Sequence, residues 1–286
     1  MTLAVFDIGG SAVKYGKWDN QTLSLTGQFK TPGTLEAMQN EMKAVIESFG
    51  EGIEGVAISS PGAVNVEARR IDGISAVEYL HGRPIFDELE AALGFKITIE
   101  NDANCAGICE MGLGAGRGVK HAIFVVIGTG VGGAIFINGQ LYKGAHLFGG
   151  EFGLLLNSNG KSLSTNGTAV NTAARFSKEI GREISGKELF ELYDAGDADA
   201  VVAFDEMYKH LAESLYNLQV SIDPEMIIIG GGISARPDVT DEIRTRVAQL
   251  LEANLVSSAM PVITACKFQN DANLIGAALN YEILTK

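Results

Sequence analysis

FDIGGSAVKYG (Phe6–Gly16) and VIGTGVGGAIFING (Val126–Gly139) carry the clearest structural information in the sequence. Each stretch starts within an apolar run and continues into a second one, so each predicts two strands joined by a glycine-rich turn. Glycine lets the backbone of such a turn approach a ligand closely. Exposed backbone N–H groups, together with the hydroxyls of Ser11 and Thr129, are suited to binding phosphate oxygens.

A carboxylate lies between the two turns, in IENDANCAG (Ile99–Gly107), where an apolar strand gives way to a helix that opens with Asp102. A carboxylate at this place is suited to act as a base toward an acceptor hydroxyl in phosphoryl transfer. Aspartate is also a favoured N-cap residue. The two roles are compatible, and the pattern predicts both for Asp102.

The chain has 286 residues, which is comfortable for two domains. Its 22 Lys and Arg against 35 Asp and Glu give a net charge of −13. No basic cluster is longer than Arg69–Arg70, so we expect no nucleic-acid partner. An anionic substrate such as ATP would then be held locally by backbone amides and Mg²⁺.

Neither a signal peptide nor an apolar run of about 18 residues is visible, so we expect no membrane partner. Three cysteines are too few for a disulfide framework. Cys105 and Cys109, four residues apart, are expected to pack in a helix core. A reducing, cytoplasmic location is the simplest interpretation.

The order of strands and helices restarts after the glycine-rich segment Gly112–Gly118, which predicts two similar α/β domains with a central cleft. The predicted domains are 1–115 and 116–270, and the final helix, 271–286, is expected to return to the first. Helices are also predicted over Ile85–Leu93, Ala169–Ile180 and Ala198–Ile222, and one from Thr34 to Phe49 with Thr34 as N-cap.

These motifs resemble the ROK family (repressors, open reading frames, kinases) of the actin-like ATPase superfamily. The matching segments are Asp7–Ser11 with Lys14, Glu100–Asn104, Gly128–Gly133, Gly150–Gly153 and Gly230–Gly232. The resemblance covers essentially the whole chain and implies two actin-like, ribonuclease-H-like domains that transfer phosphate from ATP to a sugar.

The resemblance also implies roles for individual residues. Asp102 would be the catalytic base, and the sugar contacts would be Gly62, Ser75, Asn101, Asp102 and Glu151. The ATP contacts would be Asp7, Gly9, Gly10, Ser11, Lys14, Thr129, Gly130, Gly231 and Gly232. Asp7 would support Mg²⁺, directly or indirectly. We also expect a homodimer.

Three departures from the family pattern narrow the prediction. Leu154 occupies a position that is His in most relatives, and the segment Lys161–Thr168 lacks the cysteines of the family's zinc site. A glutamate is also missing from the Ala169–Asn171 stretch. We therefore expect no structural zinc. The chain resembles the zinc-less branch that includes β-glucoside kinases, and the lost His and Glu count against an N-acetylhexosamine or free-hexose acceptor.

Simpler roles stay open for several of these residues. Asp7 is also a typical turn-stabilising aspartate, Lys14 a typical surface lysine, and Glu151 a typical solvent-exposed loop residue. Gly230–Gly232 would serve equally as a tight strand-to-helix turn. His146 is assigned no role.

The sequence therefore predicts an ATP-dependent sugar kinase that phosphorylates O6 of a glucose unit, in a β-glucoside or in glucose. N-acetylmannosamine and fructose are the alternative acceptors. A sugar-responsive regulator without catalysis is the alternative from a different functional class, and it would not need Asp102.

Overall fold

The computed structural model describes residues 1–285, so Lys286, the last residue of the predicted final helix, lies outside the described residues. The strands are β1 Thr2–Ile8, β2 Ala12–Asp19, β3 Thr22–Lys30, β4 Gly55–Ser60, β5 Ala63–Asn65, β6 Arg70–Asp72, β7 Ile97–Asn101, β8 Ala122–Ile127, β9 Val131–Ile137, β10 Gln140–Tyr142, β11 Met226–Gly230 and β12 Val262–Ala265. The helices are α1 Leu35–Ser48, α2 Ile85–Leu93, α3 Asp102–Gly112, α4 Leu163–Asn166, α5 Ala169–Ile180, α6 Gly186–Asp194, α7 Ala198–Ile222, α8 Pro237–Ala253 and α9 Ala272–Thr285.

The first of two compact units comprises Met1–Gly114, Lys143–Phe148 and the chain from Asn270 onward. Its sheet has the order β3-β2-β1-β4-β7, in which β1 is antiparallel to β2 and parallel to β4. Helices α1 and α2 pack together and bury an apolar core that includes Met38 and Phe86. The predicted first hairpin is confirmed, because Ile8 lies opposite Val13 at its turn.

Helix α9 packs against α3, β1 and β4 within this first unit. Gly276 makes the close approach possible, since a Cβ built there would lie 1.7 Å from the carbonyl oxygen of Cys105. Cys105 and Cys109 form no disulfide and are buried in α3. The last helix in the sequence is therefore part of the core beneath the first glycine turn.

The second unit comprises Ala115–Tyr142 and Gly149–Gln269, and its sheet has the equivalent order β10-β9-β8-β11-β12. The predicted second hairpin is confirmed, with Ile127 opposite Val131. Asn138 and Gly139 form the next turn with positive φ angles of 54° and 76°, as their sequence predicts. Two α/β units of the same strand order confirm the predicted fold class.

Several elements differ from the sequence predictions. Asn101, rather than Asp102, is the N-cap of α3, and Asp102 is the first helical residue. Segment Lys143–Phe148 belongs to the first unit, whereas the predicted boundary assigned it to the second. The β5–β6 hairpin and the short helix α4 were not predicted, because three- and four-residue elements carry no periodic pattern. The helices predicted over Ile85–Leu93, Ala169–Ile180 and Ala198–Ile222 are confirmed.

Among the described residues, no helix is long and apolar enough to span a membrane.

Candidate functional site

The predicted site residues are divided between the two units. The first unit holds Asp7, Gly9, Gly10, Ser11, Lys14, Gly62, Ser75, Asn101 and Asp102. The second unit holds Thr129, Gly130, Glu151, Gly231 and Gly232.

Asp7 lies near the end of β1 and faces the first turn. Its Oδ1 accepts hydrogen bonds from Ser59 Oγ at 2.7 Å and from Asn273 Nδ2 at 3.0 Å. Lys14 lies opposite Asp7 in the β1–β2 register and donates to the carbonyl oxygen of Asn270 at 3.3 Å. Two donors thus fix one carboxylate oxygen of Asp7, and a half-buried lysine lies beside it on the neighbouring strand.

The turn itself is shaped by close backbone contacts. The N–H of Gly9 donates to the carbonyl oxygen of Ala12 at 3.0 Å, and a Cβ at Gly9 would lie 2.9 Å from that oxygen. Gly10 and Ser11 are exposed. The turn therefore presents small, accessible residues, which is the geometry expected of a phosphate-binding turn.

The β7–α3 junction positions Asn101 and Asp102. Asn101 Oδ1 caps α3 by accepting from the N–H of Asn104 at 3.1 Å, while its Nδ2 donates to the carbonyl oxygen of Gly62 at 3.2 Å. Asp102 Oδ1 accepts from the N–H of Ala103 at 2.8 Å. The helix N-terminus favours the ionised form of a carboxylate at this position.

A buried carboxylate precedes this junction. Glu100 is 3% exposed, and its Oε1 accepts from the N–H of Asn101 at 2.8 Å and from Asn104 Nδ2 at 2.9 Å. Its Oε2 pairs with Lys143 Nζ at 2.9 Å. Glu100 and Lys143 received no role from the sequence, because nothing in a linear pattern joins residues 43 positions apart.

The other predicted sugar contacts, Gly62 and Ser75, are linked through His81. Ser75 Oγ lies 2.6 Å from His81 Nε2, and Ser75 Oγ also accepts from the N–H of Val77 at 3.2 Å. Gly62 has a φ of 103°, and a Cβ there would lie 2.7 Å from His81 Cε1. Only glycine fits at this position, and His81 is a further residue that the sequence did not single out.

The carboxylates of the first unit act on a common neighbour, the Cys105 thiol. Burial raises the pKa of Cys105 well above its usual value, and the negative charges of Glu100, Asp7 and Asp102 raise it further. The thiol therefore stays protonated at neutral pH. The effect also shows that three acidic groups converge on one region of the first unit.

In the second unit, the turn at Thr129 and Gly130 is held by neutral side chains. Ser164 Oγ accepts from the N–H of Val131 at 3.0 Å. Asn171 Nδ2 donates to the carbonyl oxygens of Ser164 at 2.8 Å and of Thr129 at 3.4 Å. Thr129 and Gly130 are exposed, so this turn also presents accessible backbone.

A cavity of about 450 Å³ opens beside this turn. It is mostly apolar, and its lining residues are Ile127, Gly128, Ala169, Val170, Gly186, Lys187, Phe190, Glu191, Gly232, Ile233 and Arg236. A concave, largely apolar pocket with a few polar groups is typical of a small-molecule site.

Arg236 forms one wall of this cavity and lies 4.4 Å from the ring centroid of Phe190. Asp194 holds it with two hydrogen bonds, of 2.9 and 2.7 Å, and Asp238 also pairs with it. The hydrogen bonds that Arg236 donates to Asp194 and Asp238 raise the pKa of its guanidinium. The guanidinium is thus fixed in place, with its plane over an aromatic ring.

Gly232 lines the same cavity, and it differs from its neighbour Gly231 in why it is glycine. Gly231 has a φ of 84°, and a Cβ there would lie 2.1 Å from the carbonyl oxygen of Ile127. A Cβ at Gly232 would meet open space. Gly231 is therefore required by the tight turn, and Gly232 leaves the cavity open.

Glu151 is exposed and immediately precedes a short 3₁₀ turn, Phe152–Leu154. Leu154, at the end of this turn, is 62% exposed. The sugar-contact role of Glu151 stays a prediction.

The segment that resembles the family's zinc region is held by amides. Asn166 Nδ2 donates to Asn157 Oδ1 at 3.0 Å and to Asn159 Oδ1 at 2.9 Å. Asn157 Nδ2 in turn donates to the carbonyl oxygen of His210 at 3.0 Å and to Ser214 Oγ at 2.9 Å. Residues 1–285 contain no group of three or more His, Cys, Asp or Glu placed to hold a metal ion.

The family profile of the ROK family matches residues 3–282 of the chain. Among curated proteins, a β-glucoside kinase of Listeria monocytogenes is 33% identical over 98% of this chain and 97% of its own length.

Solved structures agree with this match. A ROK family protein from Streptococcus pneumoniae in complex with sucrose has a TM-score of 0.92 at 34% identity and covers 99% of both chains. A ROK family glucokinase from Streptomyces griseus in complex with glucose and AMPPNP has a TM-score of 0.77 at 25% identity, covering 97% of this chain and 98% of its own.

Proposed function

The chain belongs to the ROK family, and on that premise we propose that it is an ATP-dependent sugar kinase whose acceptor is a β-glucoside, phosphorylated at O6 of a glucose unit. The observation that carries the proposal is the β7–α3 junction, where Asp102 opens a helix beside the Asn101–Gly62 hydrogen bond. The full-length similarity to a β-glucoside kinase supports the choice of acceptor.

Asp102 would act as the base toward the sugar hydroxyl. A carboxylate at a helix N-terminus is a weak base, because the helix dipole favours its ionised form. Phosphoryl transfer passes through a loose transition state, so the hydroxyl proton needs an acceptor only as attack proceeds. The position of Asp102 relative to the sugar hydroxyl therefore matters more than its strength as a base.

Asn101 and Gly62 would orient the sugar from the same junction, and Ser75 would contribute from the loop that His81 supports. Glu151 would contact the sugar from its exposed position in the second unit. These assignments rest on the family resemblance together with the hydrogen bonds that place Asn101, Gly62 and Ser75 in the first unit.

The nucleotide base would occupy the apolar cavity of the second unit, which is lined by Gly232, Phe190 and Val170. Thr129 and Gly130, with Gly10, Ser11 and Lys14, would hold phosphate oxygens.

Asp7 fits a role in supporting Mg²⁺. Magnesium is commonly held by one or two carboxylates, by water and by the phosphates themselves. The single carboxylate of Asp7, one of whose oxygens already accepts from Ser59 and Asn273, matches an indirect contact of that kind. When bound, Mg²⁺ would neutralise charge on the transferring phosphate.

We further propose that the protein is a cytoplasmic homodimer that binds neither nucleic acid nor membranes. The acidic composition supports the lack of a nucleic-acid partner, and three cysteines without a disulfide support the cytoplasmic location.

A panel of acceptors in an ATP-consumption assay tests the proposed function. We expect cellobiose and gentiobiose to give kcat/KM values at least about tenfold above those of fructose and N-acetylmannosamine. Phosphorus NMR of the product should place the phosphate on O6. N-acetylmannosamine as the best substrate would replace the β-glucoside proposal, and sugar binding without ATP consumption would favour a regulator.

A further inference from the structure

Lys143 is the first residue of the short segment Lys143–Phe148, which belongs to the first unit although the sequence on either side of it belongs to the second. Its Nζ donates to the carbonyl oxygen of Val64 at 2.6 Å and to Glu100 Oε2 at 2.9 Å. The Lys143 side chain is 18% exposed and that of Glu100 is 4% exposed. The two charges form a nearly buried ion pair.

The ion pair satisfies a carboxylate that would otherwise be costly to bury. Glu100 Oε1 accepts from the N–H of Asn101 and from Asn104 Nδ2, and Oε2 accepts from Lys143 Nζ. A buried charge deprived of its partner is strongly unfavourable. Removal of the Lys143 ammonium would therefore leave the Glu100 carboxylate without its cation and drive it toward water, and the Asn101 backbone would move with it.

The ammonium joins the two elements that carry the proposed sugar contacts. Val64 lies in β5, two residues beyond Gly62, and Glu100 lies in β7 immediately before Asn101. The Asn101 side chain bonds to the carbonyl oxygen of Gly62 at 3.2 Å. Lys143 and Asn101 thus both link the Gly62–Val64 stretch to the end of β7, Lys143 through its ammonium group and Asn101 through its side-chain amide.

We propose that Lys143 is a positioning residue for the acceptor sugar, which sets the spacing between the β5 loop and the β7–α3 junction. It touches neither substrate in this account, and it acts through Glu100 and the Val64 carbonyl group. The inference rests on the proposed function, because it assumes that Gly62, Asn101 and Asp102 meet the sugar.

Small displacements at a reacting centre have large effects, on the order of 100-fold for a shift of about 1 Å. We therefore expect Lys143→Met to lower kcat/KM for the sugar about 100-fold while leaving KM for ATP within about twofold. Lys143→Arg keeps the charge and should recover most of the loss. Glu100→Gln should act in the same direction as Lys143→Met, because its amide would turn a donor toward the ammonium.

Arg69→Met is the matched control. Arg69 also pairs with carboxylates of the first unit, Asp87 and Glu90, but it contacts none of the proposed sugar residues. We expect it to leave both KM values unchanged. A variant that only unfolds more easily would lose active protein, which lowers kcat without raising KM for the sugar alone.

A double variant separates the ion pair from independent effects. If Lys143 acts through Glu100, Lys143→Met combined with Glu100→Gln should lose clearly less than the product of the two single losses. A wild-type sugar KM in Lys143→Met, or strictly multiplicative losses in the double variant, would overturn the inference. If Lys143→Met does not fold, the test rests on the comparison of Glu100→Gln with Lys143→Arg. A wild-type sugar KM in Glu100→Gln would then overturn the inference.

The wild-type protein separates this inference from the proposed function. If the wild type phosphorylates no sugar, the proposed function fails whatever Lys143 does. If the wild type is an active kinase and the Lys143 variants keep their sugar KM, the positioning role alone is wrong. Calorimetric titration of each variant with cellobiose, without ATP, should show the same order of sugar affinity as the KM values.

Discussion

The two glycine turns belong to sheets of the same strand order, but side chains of different charge lie beside them. The charged groups Asp7 and Lys14 lie beside the first turn, and the same unit buries Glu100. The second turn is held by the Ser164 hydroxyl and the Asn171 amide. The same backbone arrangement is therefore surrounded by charged side chains in the first unit and by neutral polar side chains in the second.

The difference follows from what each turn would have to do. A base and a magnesium-supporting group must carry negative charge, and carboxylates near a triphosphate are tolerable only with a cation present. A turn that binds phosphate through backbone N–H groups gains nothing from nearby carboxylates, since they would repel the ligand. Neutral hydroxyls and amides fix the backbone of the second turn without that repulsion. The predictions below test this division, from the largest effect to the smallest.

Asp102→Asn should produce the largest loss, because it removes the proposed base while keeping the side-chain shape and an oxygen for the Ala103 N–H. We expect kcat to fall about 10²–10⁴-fold with little change in either KM. Asp19→Asn, at the far end of the β1–β2 ladder, is the control and should keep wild-type turnover. A mutant that retains more than about a tenth of wild-type kcat would refute the assignment.

Asn166→Ala should produce the next largest effect, on stability. It removes the hydrogen bonds to Asn157 and Asn159 and takes away the donor to the buried Oδ1 of Asn157. We expect the free energy of unfolding to fall by about 2–3 kcal/mol in urea titrations. Asn254→Ala, which removes an exposed bond to the Leu250 carbonyl oxygen, should change it by less than about 0.5 kcal/mol.

The same network predicts that amides, and not a metal, hold this segment. Elemental analysis of the wild-type protein purified without chelators should find no stoichiometric zinc. A zinc chelator, added with Mg²⁺ in excess, should leave both activity and unfolding unchanged. One zinc ion per chain would contradict this account of residues 157–168.

Ser164→Ala should have a smaller, substrate-specific effect. The N–H of Val131 would lose its acceptor, and the turn at Thr129 and Gly130 would lose a contact that fixes it. We expect KM for ATP to rise about tenfold, the equivalent of one lost hydrogen bond, while KM for the sugar is unchanged. Ser158→Ala, which breaks only an exposed bond to Glu213, serves as the control. An equal rise in both KM values would show that the second turn is not specific for the nucleotide.

Glu213→Gln should have the smallest effect, and it should depend on pH. Burial works to raise the pKa of Glu213, but hydrogen bonds from His210 and Ser158 and the His210 charge together lower it. A carboxylate whose folded pKa is depressed stabilises the protein above its unfolded pKa, about 4.5, and this stability is lost as pH falls through the folded pKa.

The wild type should therefore exceed Glu213→Gln in stability by less than about 1 kcal/mol at pH 6. The gap should close as pH falls below about 4.5. Unfolding curves between pH 3 and 7 measure this difference, with Glu252→Gln on the exposed face of α8 as control. A gap that widens in acid would mean that the environment of Glu213 raises its pKa instead.

Prediction from sequence was most successful where local chemistry repeats. The hairpins around Gly9 and Gly128 followed from apolar runs interrupted by glycines, and the long helices from their periodicity. The cap of α3 was predicted one residue late, since both Asn101 and Asp102 are good N-cap residues and only backbone geometry distinguishes them.

The sequence also indicated Asp102, Asp7 and the glycines, because their types and spacing are unusual for ordinary loops. It did not indicate Lys143, His81, Ser164 or Arg236. Lys143, Ser164 and Arg236 each contact a partner distant in the sequence, such as Glu100 for Lys143 and Phe190 for Arg236, whereas His81 meets Ser75 within a loop that has no periodic pattern. A pairing between distant positions leaves no trace in local composition or periodicity.

By itself the sequence determined the family, the two α/β units and the turns that would hold phosphate, since these depend on short-range backbone preferences and hydrophobic patterning. Only the tertiary structure decided which side chains surround each site: the Lys143–Glu100 ion pair behind the β7–α3 junction and the fixed carboxylate of Asp7 in one unit, and hydroxyls and amides at the turn of the other. The physical reason is that burial determines the energetic worth of a charge or a hydrogen bond, and burial is a property of the packed chain.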